Sequence, residues 1–438
     1  MTLAAILPPA LQRAVSPYTG IVRSIEECLP STADPPHFRV ACEVGLGFGL
    51  LGPSLDHLAG IGGAGLTRVD AAAAAVGEAL ERYSASFVPH ERIVVATARE
   101  LGDVAVRPER FALFSEAQYG EAHFPFARFT VDSRVPWIAG HSLPERHPVL
   151  LPAEVVFLGD LGSPADTRIG YGTSSGMACA ASADEAVVRG LCEILERDAF
   201  MIVWASRLSL PRLDWAADRR ISALDERLFA PLGLDYSAID LSVFHGMPTV
   251  LGVVRAPAGC PGALGVGAGT APTIERAWWK ALAEAFAARS AAAKLALLDE
   301  RPPMGGRRVR SFEDHIRHYA DHGNAAAAAF LAASADRVPT ASVSPLEGLS
   351  DAEHLTALCS RVEAAGSSAY LVDVTWPDVR ELGLTVVKVV APELCSLDVL
   401  HDARFQGGTR LYRAAYELGL AGRPLVEGDL NPDPHPFP

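Results

Sequence analysis

Three long windows of the chain, Asp70–Phe87, Asp184–Trp204 and Glu275–Leu298, return apolar residues every three to four positions. That period places them on one face of a helix, and alanine, which loses no side-chain entropy there, fills much of the remainder. No proline interrupts these windows, and their only glycines are Gly77 and Gly190. Shorter runs rich in β-branched residues, Arg92–Thr97, Thr249–Val254, Tyr370–Val374 and Leu384–Val390, are bounded by Pro, Gly or polar turns and read as strands. Strands and helices do not alternate strictly. The expected fold class is therefore α+β, with mixed or antiparallel sheets flanked by helices, and not a doubly wound parallel sheet.

The expected internal boundary is Arg301–Arg310 (RPPMGGRRVR), where Pro, Gly and arginines break the preceding helix. A turn-rich stretch, Ser342–Gly348, precedes a further helical window, Asp351–Ala365. The end, Asn431–Pro438, reads NPDPHPFP and is expected to be extended, since proline lacks an amide donor and restricts its predecessor. Across 438 residues, 52 acids against 38 Lys and Arg give a net charge of −14. An acidic surface is a poor partner for nucleic acid or an anionic membrane. It leaves room for a nucleotide held through metal ions. The seven cysteines are dispersed with no CxxC pair, which fits reduced thiols in the cytosol. The N-terminus has no basic residue ahead of its short apolar stretch, so no secretory signal is read. The most apolar stretches, such as Val44–Leu51 and Leu150–Leu158, are too short to span a bilayer. A cytoplasmic protein is expected.

Two helical windows carry the same signature. GEALERYS sets Glu78, Glu81 and Arg82 at i, i+3 and i+4; CEILERDA sets Glu193, Glu196 and Arg197 at the same spacing. Residues so spaced share a helix face, so each helix presents two carboxylates and a guanidinium in one direction. A single ExxER is more often an exposed Glu–Arg pair worth ~0.2–0.5 kcal/mol. Two copies, each after a small-residue turn (Gly62–Gly65; Ser174–Gly176) and each among apolar neighbours, point to one shared site. Clustered, partly buried carboxylates titrate upward unless a cation holds them, and Mg2+ takes such oxygen ligands together with substrate phosphates. A third window adds Lys280 and Glu284 at i and i+4, after a glycine run, Gly265–Gly269, expected to let backbone approach a ligand closely. No P-loop or dinucleotide fingerprint is present.

The ordered set resembles the YcaO-domain family. SPYTGIVRSI (Ser16–Ile25), GGAGLT before the first ExxER, TSSGMA, DEA and GLCEILERDA around the second, KALAE, and the terminal PHPFP occur in family order. The resemblance covers essentially the whole chain, 1–438, with core elements at 16–300, a C-terminal subregion at 311–430 and a proline-rich tail at 431–438. It implies a YcaO-type ATP-binding fold without a P-loop, in a homodimer. It implies Mg2+ on Glu78, Glu81, Glu193 and Glu196. It implies ATP against those residues and Arg82, Glu185, Arg189, Arg197, Lys280 and Glu284. The tail brings His435 and Pro438 as catalytic candidates; the sequence assigns no general base, and the tail Pro434–Pro438 is one candidate for it. Departures from the family pattern are Ala64 for Lys, Ala74 for Ser, Ser175 for Asn, Arg189 for Gln and Lys280 for Arg; they bear on nucleotide contacts more than on metal ligands.

The implied activity is that of a cyclodehydratase subunit. A Cys, Ser or Thr of a ribosomally made precursor peptide attacks the preceding carbonyl, ATP phosphorylates that oxygen, and phosphate leaves to give a thiazoline or oxazoline. Leader recognition is expected from a separate E1-like or ThiF-like partner, because the YcaO-like sequence begins by about Ser16. An FMN-dependent azoline dehydrogenase is an optional further member of the assembly. The alternatives are thioamide or amidine formation by the same ATP chemistry, or a non-catalytic YcaO-like scaffold.

Overall fold

The structure, a computed structural model, describes residues 2–45, 61–164, 166–298, 309–343 and 345–438. Residues 301–308 of the expected boundary, and most of the apolar Val44–Leu51 stretch, lie outside the described residues. Three sheets form the frame. The first holds β1 (Val22–Glu27), β2 (Phe38–Val44) and β3 (Gly62–Gly65) in that order. The second contains β4 (Val94–Ala96), β5 (Val135–Ser142), β6 (Pro148–Pro152), β7 (Met177–Ala180), β13 (Tyr370–Asp373) and β14 (Thr385–Val390). Its order is β4-β5-β13-β14-β7, with β6 paired to β5. The third contains β8 (Arg212–Asp214), β9 (Asp235–Asp240), β10 (Thr249–Arg255), β11 (Leu264–Thr270) and β12 (Arg337–Pro339), ordered β11-β10-β9-β8-β12. Every strand pairing is antiparallel except β8 with β12. The sheets are thus mixed and mainly antiparallel, as the irregular order of strands and helices requires.

The three alanine-rich windows are helices α1 (Arg68–Ser86), α2 (Ala183–Ser206) and α3 (Ile274–Leu298). Thr67 and Ser182 cap the first two, each accepting the amide of the residue three further on, Asp70 and Glu185. Each helix follows a strand at the end of a sheet: β3, β7 and β11. The first small-residue "turn", Gly62–Gly65, is in fact strand β3, and the Gly265–Gly269 run is strand β11. Their glycines alternate because one strand face is covered by a helix at closer range than any Cβ permits. A Cβ on Gly63 would stand 2.3 Å from Ala75 N, and one on Gly65 2.5 Å from Ala71 N. On β11 the same holds for Gly265 (2.2 Å from Ala285 O), Gly267 (2.5 Å from Ala285 N) and Gly269 (2.3 Å from Ala277 O). Ala277, Ala281 and Ala285 recur every four residues on α3 and are fully buried against that strand. The close approach that the glycines permit is therefore to a helix backbone, not to a ligand. Ser174–Gly176 does form a turn ahead of β7; Gly176 takes φ +80° and sits against Val389 O, which excludes a side chain there.

No helix among the described residues is long and apolar enough to cross a membrane. The tail runs without regular structure and is buried: Phe437 is fully covered, and Asn431 N donates to Ala205 O at 2.9 Å.

The helix–strand packing makes opposite demands at two glycines. Gly265→Ala is expected to destabilise by about 1–3 kcal/mol or more, because backbone must move. Gly77→Ala, in the interior of α1 with nothing within 4 Å of its Cβ position, is expected to gain up to ~1 kcal/mol. Denaturant melts of the two variants check this; equal melts would refute the packing argument.

Candidate active site

The ends of the three sheets, β3, β7 and β11, each leave backbone amides unpaired by any neighbouring strand among the described residues. Carboxylates from the helices take them up. Gly62 N donates to Glu78 Oε2 at 3.2 Å, Cys179 N to Glu81 Oε1 at 2.8 Å, Ala268 N to Glu284 Oε2 at 2.8 Å, and Thr270 N to Glu196 Oε2 at 2.6 Å. Two of these bonds stay within a strand–helix unit, and two cross between units: α1 to β7, and α2 to β11. The acids therefore stitch three sheet ends together around one place, and each orients an oxygen while satisfying a half-buried or buried donor.

The basic groups are arranged around them. Arg82 Nη2 donates to Glu78 Oε1 at 2.6 Å, and Arg197 Nη2 to Glu193 Oε1 at 3.4 Å, the two i,i+4 pairs expected from the ExxER spacing. Arg197 Nη1 lies 3.7 Å from Glu196 Oε1 and, like Nε, is buried without a hydrogen-bond partner among the described residues. Lys280 Nζ stands 3.6 Å from Glu196 Oε2. Glu185 and Arg189 pair with one another at 2.5 Å, and Arg189 Nη1 reaches Cys179 O at 3.3 Å, so the edge residue Cys179 is held at both its N–H and its C=O. The ten residues expected for nucleotide and metal are thus brought to one region, with Glu185 engaged mainly by its own helix neighbour.

Excess negative charge in a buried place shifts the acids upward. Burial pushes Glu81 up to about 8, with Glu193 and Glu78 adding to it against the opposing Cys179 amide. Burial raises Glu284 to about 7, reinforced by Glu196. Glu193 is also raised by burial and by Glu196, while Arg197, Lys280 and Lys388 oppose. A site of this kind is short of one or more cations.

Lys388 did not stand out in the sequence. It lies on β14 in the run Val386–Val390, is 3% exposed, and its ammonium donates to Thr173 O and Ser175 O at 2.6 Å each. Burial lowers it to about 8. It fixes the Ser174–Gly176 turn and lines a cavity with Ile194, Arg197, Tyr171 and Phe405. Its one available signal was a lone charge in an otherwise apolar strand. Asp198, next to Arg197, is also fully buried; Arg410 grips both of its oxygens at 2.7–3.0 Å, His245 Nε2 stands 3.0 Å away, and Cys395 N donates to it at 2.8 Å. Those partners lie 47 to 212 residues away in sequence, so no local pattern could reveal them.

The tail reaches the same region. The Phe437 ring packs on Phe200 and lies under the Arg197 guanidinium, 4.1 Å from ring centroid to carbon. Pro438 follows directly and is half-buried. His435 is engaged on both sides of its ring. Its Nδ1 accepts from Phe437 N at 3.2 Å, its Nε2 faces Asp398 O at 2.6 Å, and burial holds the ring well below the usual histidine range. Both nitrogens being spent on the tail and its cradle, the imidazole locks the tail and is not a free base.

The family model for YcaO, a cyclodehydratase domain that binds ATP and Mg2+, matches residues 62–395. The chain belongs to the YcaO family. A heterocyclase solved in complex with substrate and cofactor is 26% identical with a TM-score of 0.79, covering 100% of this chain and 57% of its own. The heterocyclase TruD is 25% identical with a TM-score of 0.64, over 85% of this chain and 52% of its own. An uncharacterised protein of Methanothermobacter thermautotrophicus is 28% identical over 235 residues, 52% of this chain and 56% of its own. The chain thus spans little more than half the length of each of these three relatives. The YcaO description fits the residues present: carboxylates above their usual range suit Mg2+, and the unpartnered Arg197 donors suit a phosphate.

For the metal-free chain, the sign of the linkage is set by the raised acids. The folded state holds protons on Glu81 and Glu284 that the unfolded state releases near 4.5, so stability falls as pH rises from about 4.5 to 7–8. Mg2+ held by Glu81 would compete with its proton, so the ion's stabilising effect would grow over the same range. The thermal shift caused by Mg2+ should be larger at pH 8 than at pH 6, and Glu81→Gln should flatten the difference. A pH-independent shift would contradict the proposed ligand set.

Proposed function

We propose that this YcaO chain is the ATP-dependent cyclodehydratase subunit that converts Cys, Ser or Thr of a ribosomally made precursor peptide into thiazoline or oxazoline. The observation that carries this reading is the convergence of two ExxER helices on three sheet ends, with Arg197 donors left unspent and the tail packed against that same guanidinium. In this reading, Glu78, Glu81, Glu193 and Glu196 hold Mg2+. Arg82, Arg189, Arg197 and Lys280 face the phosphates, with Glu185 and Glu284 completing the nucleotide cradle. When bound, Mg·ATP supplies the phosphoryl group that makes the amide oxygen a good leaving group.

The chain's own contribution is positioning. Strand amides fix the carboxylate oxygens, Lys388 fixes the Ser174–Gly176 turn, and Asp198 with Arg410 ties α2 to the C-terminal region. Pro438 presents the tail's end to the reacting peptide, and His435 acts by holding it there. The single unit 1–438 works as a homodimer with a separate E1-like or ThiF-like leader-binding partner, and an FMN-dependent dehydrogenase completes the route to azoles.

Incubation with precursor, partner, ATP and Mg2+ should yield peptide lighter by one water per ring. Glu193→Gln should slow this by on the order of 100-fold or more, since even indirect disturbance of metal ligands costs about 10–100-fold. Exchange of sulfur for oxygen would assign a thioamide-forming enzyme instead. Water loss undiminished in Glu193→Gln and Glu78→Gln would refute the site.

A further inference from the structure

We propose that the cavity walled by Phe111, Leu113, Ile194, Leu394 and Phe405 is the subsite for one side chain of the peptide, that of the residue preceding the cyclised Cys, Ser or Thr, and that it selects a small, uncharged one. The assignment rests on the azoline-forming reading and adds to it the substrate position that the chain discriminates.

The cavity adjoins the carboxylate cluster. Arg197 lines it while reaching Glu193 and Glu196, and Ile194 follows Glu193 on α2. Its walls are fixed by hydrogen bonds of their own. Ala112 N donates to Pro392 O at 2.9 Å and Gly407 N to Leu113 O at 3.1 Å. Arg110 ties the same segment to Glu393 and, at 2.9 Å, to Ser368 Oγ. Tyr171 stacks on Phe405 with ring centroids 4.7 Å apart, and its hydroxyl is spent donating to Ala403 O and accepting from Val399 N. Lys388 is likewise spent on Thr173 O and Ser175 O. A preformed, mainly apolar lining remains, with one guanidinium whose Nε and Nη1 have no partner among the described residues.

Bond geometry selects the occupant. The attacked carbon carries the oxygen to be phosphorylated, the nitrogen and nucleophile that close into the ring, and the Cα of the preceding residue. The oxygen belongs with the phosphates that Arg197 faces, and the ring closes on itself. Only that Cα, whose side chain starts two bonds from the attacked carbon, needs a separate place, and the cavity beside Arg197 lies within its reach. The cavity holds about 70 Å3 and is partly open. That is roughly half the ~150 Å3 that admits benzene, room for a side chain of about three heavy atoms. Acids already outnumber cations next door, so a peptide carboxylate is repelled; a peptide ammonium would be buried beside Arg197 and Lys388.

Precursors differing only in the residue before one Cys (Gly, Ala, Val, Phe, Asp or Lys) can compete in one reaction with the full chain, partner, ATP and Mg2+. Mass spectrometry then reads their relative kcat/KM. Ala and Val should react about 10-fold faster or more than Phe, Asp and Lys, since one methylene in an apolar pocket is worth about 10-fold or more. Leu113→Ala should narrow the Ala-to-Phe ratio by about 10-fold, and Ala391→Leu, which fills the same cavity, should reject Val while still accepting Gly. The two variants act in opposite directions, so either one that melts cooperatively decides. Equal rates for all six peptides, or ratios unmoved in a folded variant, would overturn the subsite while leaving the azoline-forming reading intact. Preference for Asp would give the cavity to an acidic side chain and overturn it too. Absence of water loss from every peptide would overturn both.

Discussion

Everything in the site depends on one constraint: the amides at the ends of the three sheets must find acceptors. A sheet end inside a protein leaves donors that water cannot reach, and an unpaired buried N–H costs about 1–3 kcal/mol. Glu78, Glu81, Glu196 and Glu284 meet that need, and in doing so they are drawn into one small volume. Four such acids with Glu193 beside them repel one another, and burial raises several above their usual range. The arrangement that completes the sheets thus creates a demand for cations. Structural and chemical roles are here the same hydrogen bonds.

Close packing makes the constraint enforceable. Alanines on α1 and α3 meet alternating glycines on β3 and β11, so the helix axes lie near the strands and the glutamates reach the strand amides. Gly62 to Glu78 and Ala268 to Glu284 span the same 16 residues, the mark of a repeated strand–helix device. The tail adds a third layer. Trp204 Nε1 donates to Asp433 O at 3.1 Å and Tyr319 to Pro434 O, so the proline-rich segment is gripped along its length. Alternating prolines limit the freedom it loses on docking.

Much of this was legible in the sequence. Helical period and ExxER spacing place the carboxylates on shared faces, because those are properties of neighbours within one helix. The glycine runs were misread, since a glycine records that something comes close without saying whether it is a ligand or a helix. Lys388, Asp198, Arg410 and His245 were missed because each is defined by partners from other elements. His435 was a catalytic candidate only through the resemblance of the tail, whereas its hydrogen bonds to Phe437 and Asp398 are tertiary facts. The strands Thr249–Arg255 and Thr385–Val390 agree closely with their β-branched runs, while only Val94–Ala96 of the Arg92–Thr97 run is strand.

The central claim is that the acids fixed on the sheet ends hold a nucleotide through metal. Calorimetric titration of the chain with a non-hydrolysable ATP analogue tests it most directly. Saturable binding should require Mg2+ and should be lost in a Glu81→Gln, Glu196→Gln double variant that still melts cooperatively. Nucleotide binding of equal strength without Mg2+, or unchanged in that folded variant, would contradict the account.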